Sequence, residues 1–324
     1  MPPIASRQSA ATTAPTVGGE AAAATTYDAS TISTASPRAT EATRTGCQRF
    51  NARDNGAMPA VSQALAEFAN QHRPRPAPGI EVIATARYVI TLQPDFPIPG
   101  PNSVSYVRCR PDEADEVILE AHAIIAPRHV PVMWVLDPET QPPDFPDRLA
   151  AHGVHPDPHA PRVDVMALPI DARIEAPPVG GLEIRDALAD AATFRMADNV
   201  AAEAFMGTEL GDDPELVASQ ERRRLNGLAS GIRYHLLALI DGEPAGASGM
   251  NVFPPGGAII NGGAVRPKFR GRGVYRAMVV RRLEIARQAG VAGLAVWGAP
   301  TSAPILARLG FVTVGWRRFY LDTT

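Results

Sequence analysis

The chain has 324 residues, a formal net charge of −3 and 45% hydrophobic residues, enough for two ordinary domains or one large one with a proper core. The near-neutral balance argues against a nucleic-acid-coating surface, and the longest apolar stretches, such as Gly290–Pro300, fall short of the ~20 residues of a spanning helix. No charged-then-apolar signal segment opens the chain, and its two cysteines, Cys47 and Cys109, imply neither a disulfide framework nor a thiolate metal site. Together these features point to a cytoplasmic protein with no membrane or nucleic-acid partner.

Residues 1–57 are rich in Ala, Thr and Ser and contain no Leu and no Trp. Ordering each residue costs ~1–2 kcal/mol of backbone entropy with almost nothing apolar to offset it, so a disordered tail is expected. A transit peptide is a second reading, weakened by Glu20, Asp28, Glu41 and Asp54; a third makes Met58 the true start.

Order begins at 59–71, where Val61, Ala64, Leu65, Phe68 and Ala69 share a helical face. Strand patterns follow at 81–92 and 103–110, then a helix at 112–125 opened by Pro111 and acids. A strand at 132–136, a short helix at 145–152 and a strand at 163–168 complete a first half, 58–175. His152, His155, Asp157 and His159 stand among Gly153, Pro156, Pro158 and Pro161, an irregular turn with no shared face, so no metal site is expected. After a Pro/Gly joint at 176–181, the second half, 178–324, reads strand 182–186, helices 190–206 and 213–228, and strands 233–240, 245–252 and 257–265.

The richest stretch follows, Ala264-Val-Arg-Pro-Lys-Phe-Arg-Gly-Arg-Gly-Val-Tyr-Arg276. Pro267 stops ladder pairing after Val265. Gly271 and Gly273 accept backbone angles forbidden to other residues, so successive amides can converge at the start of a helix running from Val274 to about Gln288. Arg270, Arg272 and Arg276 add positive charge at that mouth, which makes the segment a pyrophosphate cradle. Gly262 and Gly263 inside the preceding strand suggest a bulge or the close approach of another chain.

Arg270-Gly-Arg-Gly273 after this strand, a strand at 292–297, and then Ser302-Ala-Pro-Ile-Leu-Ala-Arg-Leu-Gly-Phe311 resemble the GNAT superfamily of N-acetyltransferases over about 258–321. The resemblance implies an α/β fold with a mixed, largely antiparallel sheet and helices on both faces. It also implies acetyl-CoA as acyl donor, held by Ala264, Val265, Arg266, Arg270, Gly271, Arg272, Gly273, Val274 and Tyr275, and an amine acceptor, small molecule or peptide. The pantetheine arm would pair with the strand ending at Val265. Tyr275 stands where the family has a small residue. Leu306 stands where it often has the Tyr that protonates the departing thiolate, which leaves Ser302, one turn earlier, and Tyr275 as replacements; Ser302 also suits a helix cap. The general base is not legible. His235 reads as a satisfied core or edge histidine, and Glu209, Asp212, Asp213 and Glu215 suit either a cationic acceptor or a solvated helix start.

Leu149-Ala-Ala-His-Gly-Val154 parallels Leu306-Ala-Arg-Leu-Gly-Phe311, and Pro143 matches Pro300. The first half therefore reads as a degenerate GNAT-like lobe, its glycine turn replaced by Arg110-Pro-Asp-Glu113. The expected activity is acetyl transfer to an amine by direct attack. The alternatives are a non-catalytic acyl-CoA sensor or scaffold, and an acyltransferase using another acyl group or a hydroxyl acceptor.

Overall fold

The computed structural model describes residues 60–323, so the tail 1–57, Cys47 and Met58 lie outside it. In the first half, α1 (Gln63–Gln71) precedes β1 (Glu81–Ala84), β2 (Val89–Leu92), β3 (Ser103–Ser105), α2 (Ala114–Ile125), β4 (Val132–Leu136), α3 (Phe145–Ala151), the two-residue β5 (His155–Pro156) and β6 (Arg162–Pro169). The second half runs β7 (Leu182–Asp186), α4 (Ala191–Met206), α5 (Pro214–Ser230), β8 (Arg233–Ile240), β9 (Glu243–Phe253), β10 (Gly257–Val265), α6 (Val274–Gln288), β11 (Gly293–Gly298), α7 (Ala303–Arg308) and β12 (Val312–Asp322).

Two expected strands are shorter than their patterns. Residues 81–92 form a hairpin, because Thr85 Oγ1 accepts from the Arg87 and Tyr88 amides at 3.1 and 2.9 Å and turns the chain. The 103–110 pattern is strand only to Ser105, since Tyr106 takes φ +55°.

The two halves share one sheet, ordered β1-β2-β3-β4-β12-β6-β11-β10-β9-β8-β7, with β5 beside β12. Its pairings are antiparallel except β3–β4 and β10–β11. Each half donates its last strand to the other. β6 pairs along β11 from Gly293↔Pro169 to Gly298↔Asp164, while β12 pairs along β4 from Arg318↔Leu136 to Asp322↔Val132. The donated strands pair with each other at the centre. α1 crosses this junction. Asn70 Nδ2 donates to Val314 O at 3.0 Å, and a Cβ on Gly293 would lie 2.6 Å from Leu65 Cδ2.

Strand alternation assigns the helices to faces. A Cβ on Gly246 would meet Val274 and Met278 of α6, whereas neighbouring Ala247 packs with Ala197 and Val200 of α4. The second half is thus covered on both sides. The first half has its own core around Trp134, Ile118, Phe145 and Leu149. The end of β12 is fixed against that core, where buried Asp322 accepts from Trp134 Nε1 at 2.9 Å and pairs with His122 Nε2 at 2.8 Å.

A carboxylate buried with hydrogen-bonded partners leaves them unsatisfied when it is removed, so Asp322→Ala should lower unfolding free energy by about 2–4 kcal/mol in denaturant titration. Fragments 58–175 and 178–324 expressed singly should be insoluble, because β4 and β11 each lose a pairing partner. Co-expressed, they should co-purify.

Candidate active site

The centre of the second half is a parting of two parallel strands. β10 and β11 pair only at Ala258↔Leu294 and Ile259↔Ala295. Beyond these pairs β10 continues beside β9 to Val265, and β11 continues beside β6 to Gly298. The backbone edges facing each other across the wedge have no partner strand. The β9–β10 register slips between Asn261 and Ala264, with Gly262 at φ +55°, so the glycine pair does form a bulge.

Beyond the open end of the wedge lies the glycine turn. Gly271 and Gly273 take φ +78° and +86°, left-handed angles that strain other residues. Ala277 is the first amide of α6 with a helical partner, Gly273 O at 3.0 Å. The Val274, Tyr275 and Arg276 amides precede it, unpaired by the helix. Arg270 lies back on Val265 O at 3.2 Å, Arg272 stacks on Phe269 at 5.5 Å, and Arg276 reaches Glu175 O at 3.2 Å. None of the three meets a carboxylate among the described residues. Every residue expected to hold the cofactor lines the cavity here except Arg266. That side chain turns away to pair with Glu203 at 2.7 Å and with Glu209.

The Tyr275 ring occupies space left by a missing side chain: a Cβ on Gly263 would sit 2.8 Å from its Cε2. Arg282, which interrupts the apolar face of α6, is buried beneath the bulge. Its Nε donates to Met278 O at 3.2 Å and its Nη1 reaches Gly249 O at 3.4 Å, while Nη2 has no hydrogen-bond partner. Burial pushes this guanidinium down to about 10, and neighbouring Tyr275 opposes the fall.

The equivalent place in the first half is closed. β3 stays paired with β4 to its end at Ser105↔Val135. Gln141 then laces the chain shut, donating to Val107 O at 3.1 Å and accepting from Cys109 N at 3.3 Å. At the helix mouth Glu113 accepts the Arg110 amide at 2.9 Å and Asp112 pairs with the Arg110 side chain. Carboxylates already occupy the position of an anion.

One cavity of about 2240 Å³ runs from the glycine turn through the wedge to the α4 face, lined by both halves. Ser302 lines it at the start of α7, yet its hydroxyl donates to Ala299 O at 3.3 Å and caps no helix amide. Leu306 is fully buried in the same wall. His235, read as a satisfied histidine, is not one: its Nε2 is buried without a partner, and its ring lies 5.2 Å from Phe194. Burial pushes its imidazole below the ordinary value of 6.5, against the pull of Asp198. His235 pairs across the sheet with Gly249, and Gly249 with Asn261 at the bulge. A Cβ on Gly249 would lie 2.2 Å from Asn261 Oδ1, so the Asn261 amide extends over that glycine toward His235.

The acidic loop does not face the cavity. Glu209 pairs with Arg266, Asp212 with Arg195 and Glu215 with Arg222 at 2.7 Å, and Asp213 caps α5. His152 pairs with Asp115 at 3.1 Å, and no group of three His, Cys, Asp or Glu among the described residues is placed to hold a metal ion. Among the same residues no helix is long and apolar enough to cross a membrane.

The model of the acetyltransferase (GNAT) family matches residues 198–311, which hold the bulge, the glycine turn and the wedge. Residues 198–311 are a GNAT acetyltransferase domain. The fold is shared with a GCN5-related N-acetyltransferase from Kribbella flavida, at 15% identity and TM-score 0.55 over 76% of this chain and 90% of that one. A functionally unknown conserved protein from Staphylococcus epidermidis aligns at 12% identity and TM-score 0.55, over 76% and 94%. No curated protein sequence matches the chain.

Two features, one in each half, escape sequence reading. His235 obeys the alternation of β8, but the lack of a partner for its Nε2 among the described residues depends on elements distant in sequence. The Gln141 lacing joins residues more than 30 positions apart.

Gly273→Asp puts a carboxylate at the turn and a Cβ about 3.2 Å from Val179 Cγ2. It should leave the far-UV spectrum unchanged and abolish the stabilisation expected from acetyl-CoA, about 2.7 kcal/mol at a hundredfold excess over Kd, read as loss of the thermal shift.

Proposed function

We propose that this GNAT domain binds acetyl-CoA in the wedge and transfers the acetyl group to an amine by direct attack. The parting of β10 from β11 above an amide-lined glycine turn carries the proposal. The open edge of β10 can accept the pantetheine amides as a strand would, and the amides of Val274, Tyr275 and Arg276 meet the pyrophosphate with Arg270 and Arg272. The thioester then reaches the bulge.

The acceptor enters from the α4 side. Its nitrogen attacks the acyl carbon, the C–S bond breaks, and the amine proton passes to His235 Nε2, directly or through one water beside Asn261. Ser302 stands on the thiolate side as proton donor, and solvent can serve if it does not. The closed wedge and acid-filled mouth of the first half support a degenerate lobe that walls the acceptor site without binding cofactor. Titration calorimetry should give one acetyl-CoA per chain.

Leu306, which cannot donate a proton, favours the second reading of a binding protein without turnover. Thiol release from acetyl-CoA across a panel of amines decides between the two. If His235 is the base, protonation on the acid side silences it. The acid limb of kcat/KM should therefore lie below pH 6.5, with a plateau through neutrality. His235→Gln should remove that limb and lower kcat by roughly 10²-fold.

A further inference from the structure

We propose that the acceptor is a small amine bearing a carboxylate, and that Arg233 binds that carboxylate beside His235. This rests on the acetyltransferase reading and names its substrate class.

The charges in the cavity point away from a cationic acceptor. Its carboxylates are Asp137 and Asp198, and both are engaged. Asp137 meets Arg108 at 2.9 Å; Asp198 is held by Arg223 and by Gln220 Nε2 at 3.1 Å. The acids of the loop between α4 and α5 are spent on Arg266, Arg195 and Arg222, outside the cavity.

Arg233 is different. It lines the cavity, makes no ion pair among the described residues, and has Arg223 as its charged neighbour. Burial and that like charge both push its guanidinium down, a strain that a bound anion relieves. Its stem is seated by the fold: a Cβ on Gly227 of α5 would lie 3.3 Å from Arg233 Cδ, so the missing side chain leaves the arm its path.

Position also matters. Arg233 and His235 are two apart on β8 and share a face, about 6.6–6.8 Å along the strand. A carboxylate forked onto Arg233 leaves an amine of amino-acid dimensions next to His235 and on the side of the bulge. Arg223 stacks on Phe96 of the first half at 4.5 Å and on Phe194 at 5.4 Å, so aromatic rings from both halves wall this chamber.

The test uses full-length protein and matched acceptors: free amino acids, their amides, their phosphonate analogues and a polyamine. Calorimetry in saturating CoA gives binding, and thiol release from acetyl-CoA gives turnover. Free amino acids should exceed their amides roughly 10- to 100-fold in affinity and in kcat/KM. Arg233→Gln should erase that preference through KM with kcat nearly unchanged, Arg233→Lys should restore part of it, and acetyl-CoA affinity should not move. Phosphonates binding in place of carboxylates, amides or the polyamine binding as well as the free acids, or a preference that survives Arg233→Gln would overturn the proposal. Selective binding of carboxylates without thiol release would sustain it and defeat the transferase reading instead.

Discussion

Residues 162–169 hold β11 along six residue pairs, and this hold lets β11 leave β10 after only two. The ladder to β6 keeps β11 in the sheet on one edge, and the N–H and C=O groups of its other edge are left facing the wedge. The unpaired edge of β10 is then free to accept an extended chain, while its bulge shifts the register against β9 between Asn261 and Ala264. The glycine turn, the start of α6 and the cavity on the α4 face all take their places from that separation. The strand responsible belongs to the other half of the chain, so the site depends on the first half for its shape.

From β3 to β6 and from β10 to β12, the short β5 aside, the halves share an element order and differ in what fills the corresponding gap. In the first, Gln141 bonds to Val107 and Cys109 across the place where the wedge would open, and Glu113 serves the amide at the helix mouth. In the second, the backbone is left open and the charges at the mouth are arginines. Arg282 shows what the open arrangement requires. A buried guanidinium reaches from α6 to the Gly249 carbonyl beside the bulge. A methionine there would fill the volume and lose that contact.

Features set by local chemistry were legible in the sequence. The angles at Gly271 and Gly273, the bulge at Gly262–Gly263 and the span of α6 follow from residues close together in the chain, and the structure has each of them. The strand exchange was not legible. β4 and β12 lie some 180 residues apart, and a strand that pairs with the other half carries the same alternation as one that pairs at home. Charge was ambiguous for a related reason. Glu209, Asp212 and Glu215 look like a lure for cations until Arg266, Arg195 and Arg222, distant in sequence, are placed against them. The lack, among the described residues, of a partner at His235 Nε2 and of an ion pair at Arg233 is likewise a tertiary fact, since any element packed against β8 could have supplied one.

Amide hydrogen exchange with and without acetyl-CoA tests the central claim most directly, that the cofactor occupies the wedge of the second half alone. Protection should appear at 260–276 and 294–298, with 103–113 and 132–141 unchanged. Protection of the first-half segments, or none at 260–276 under saturating acetyl-CoA, would contradict the account.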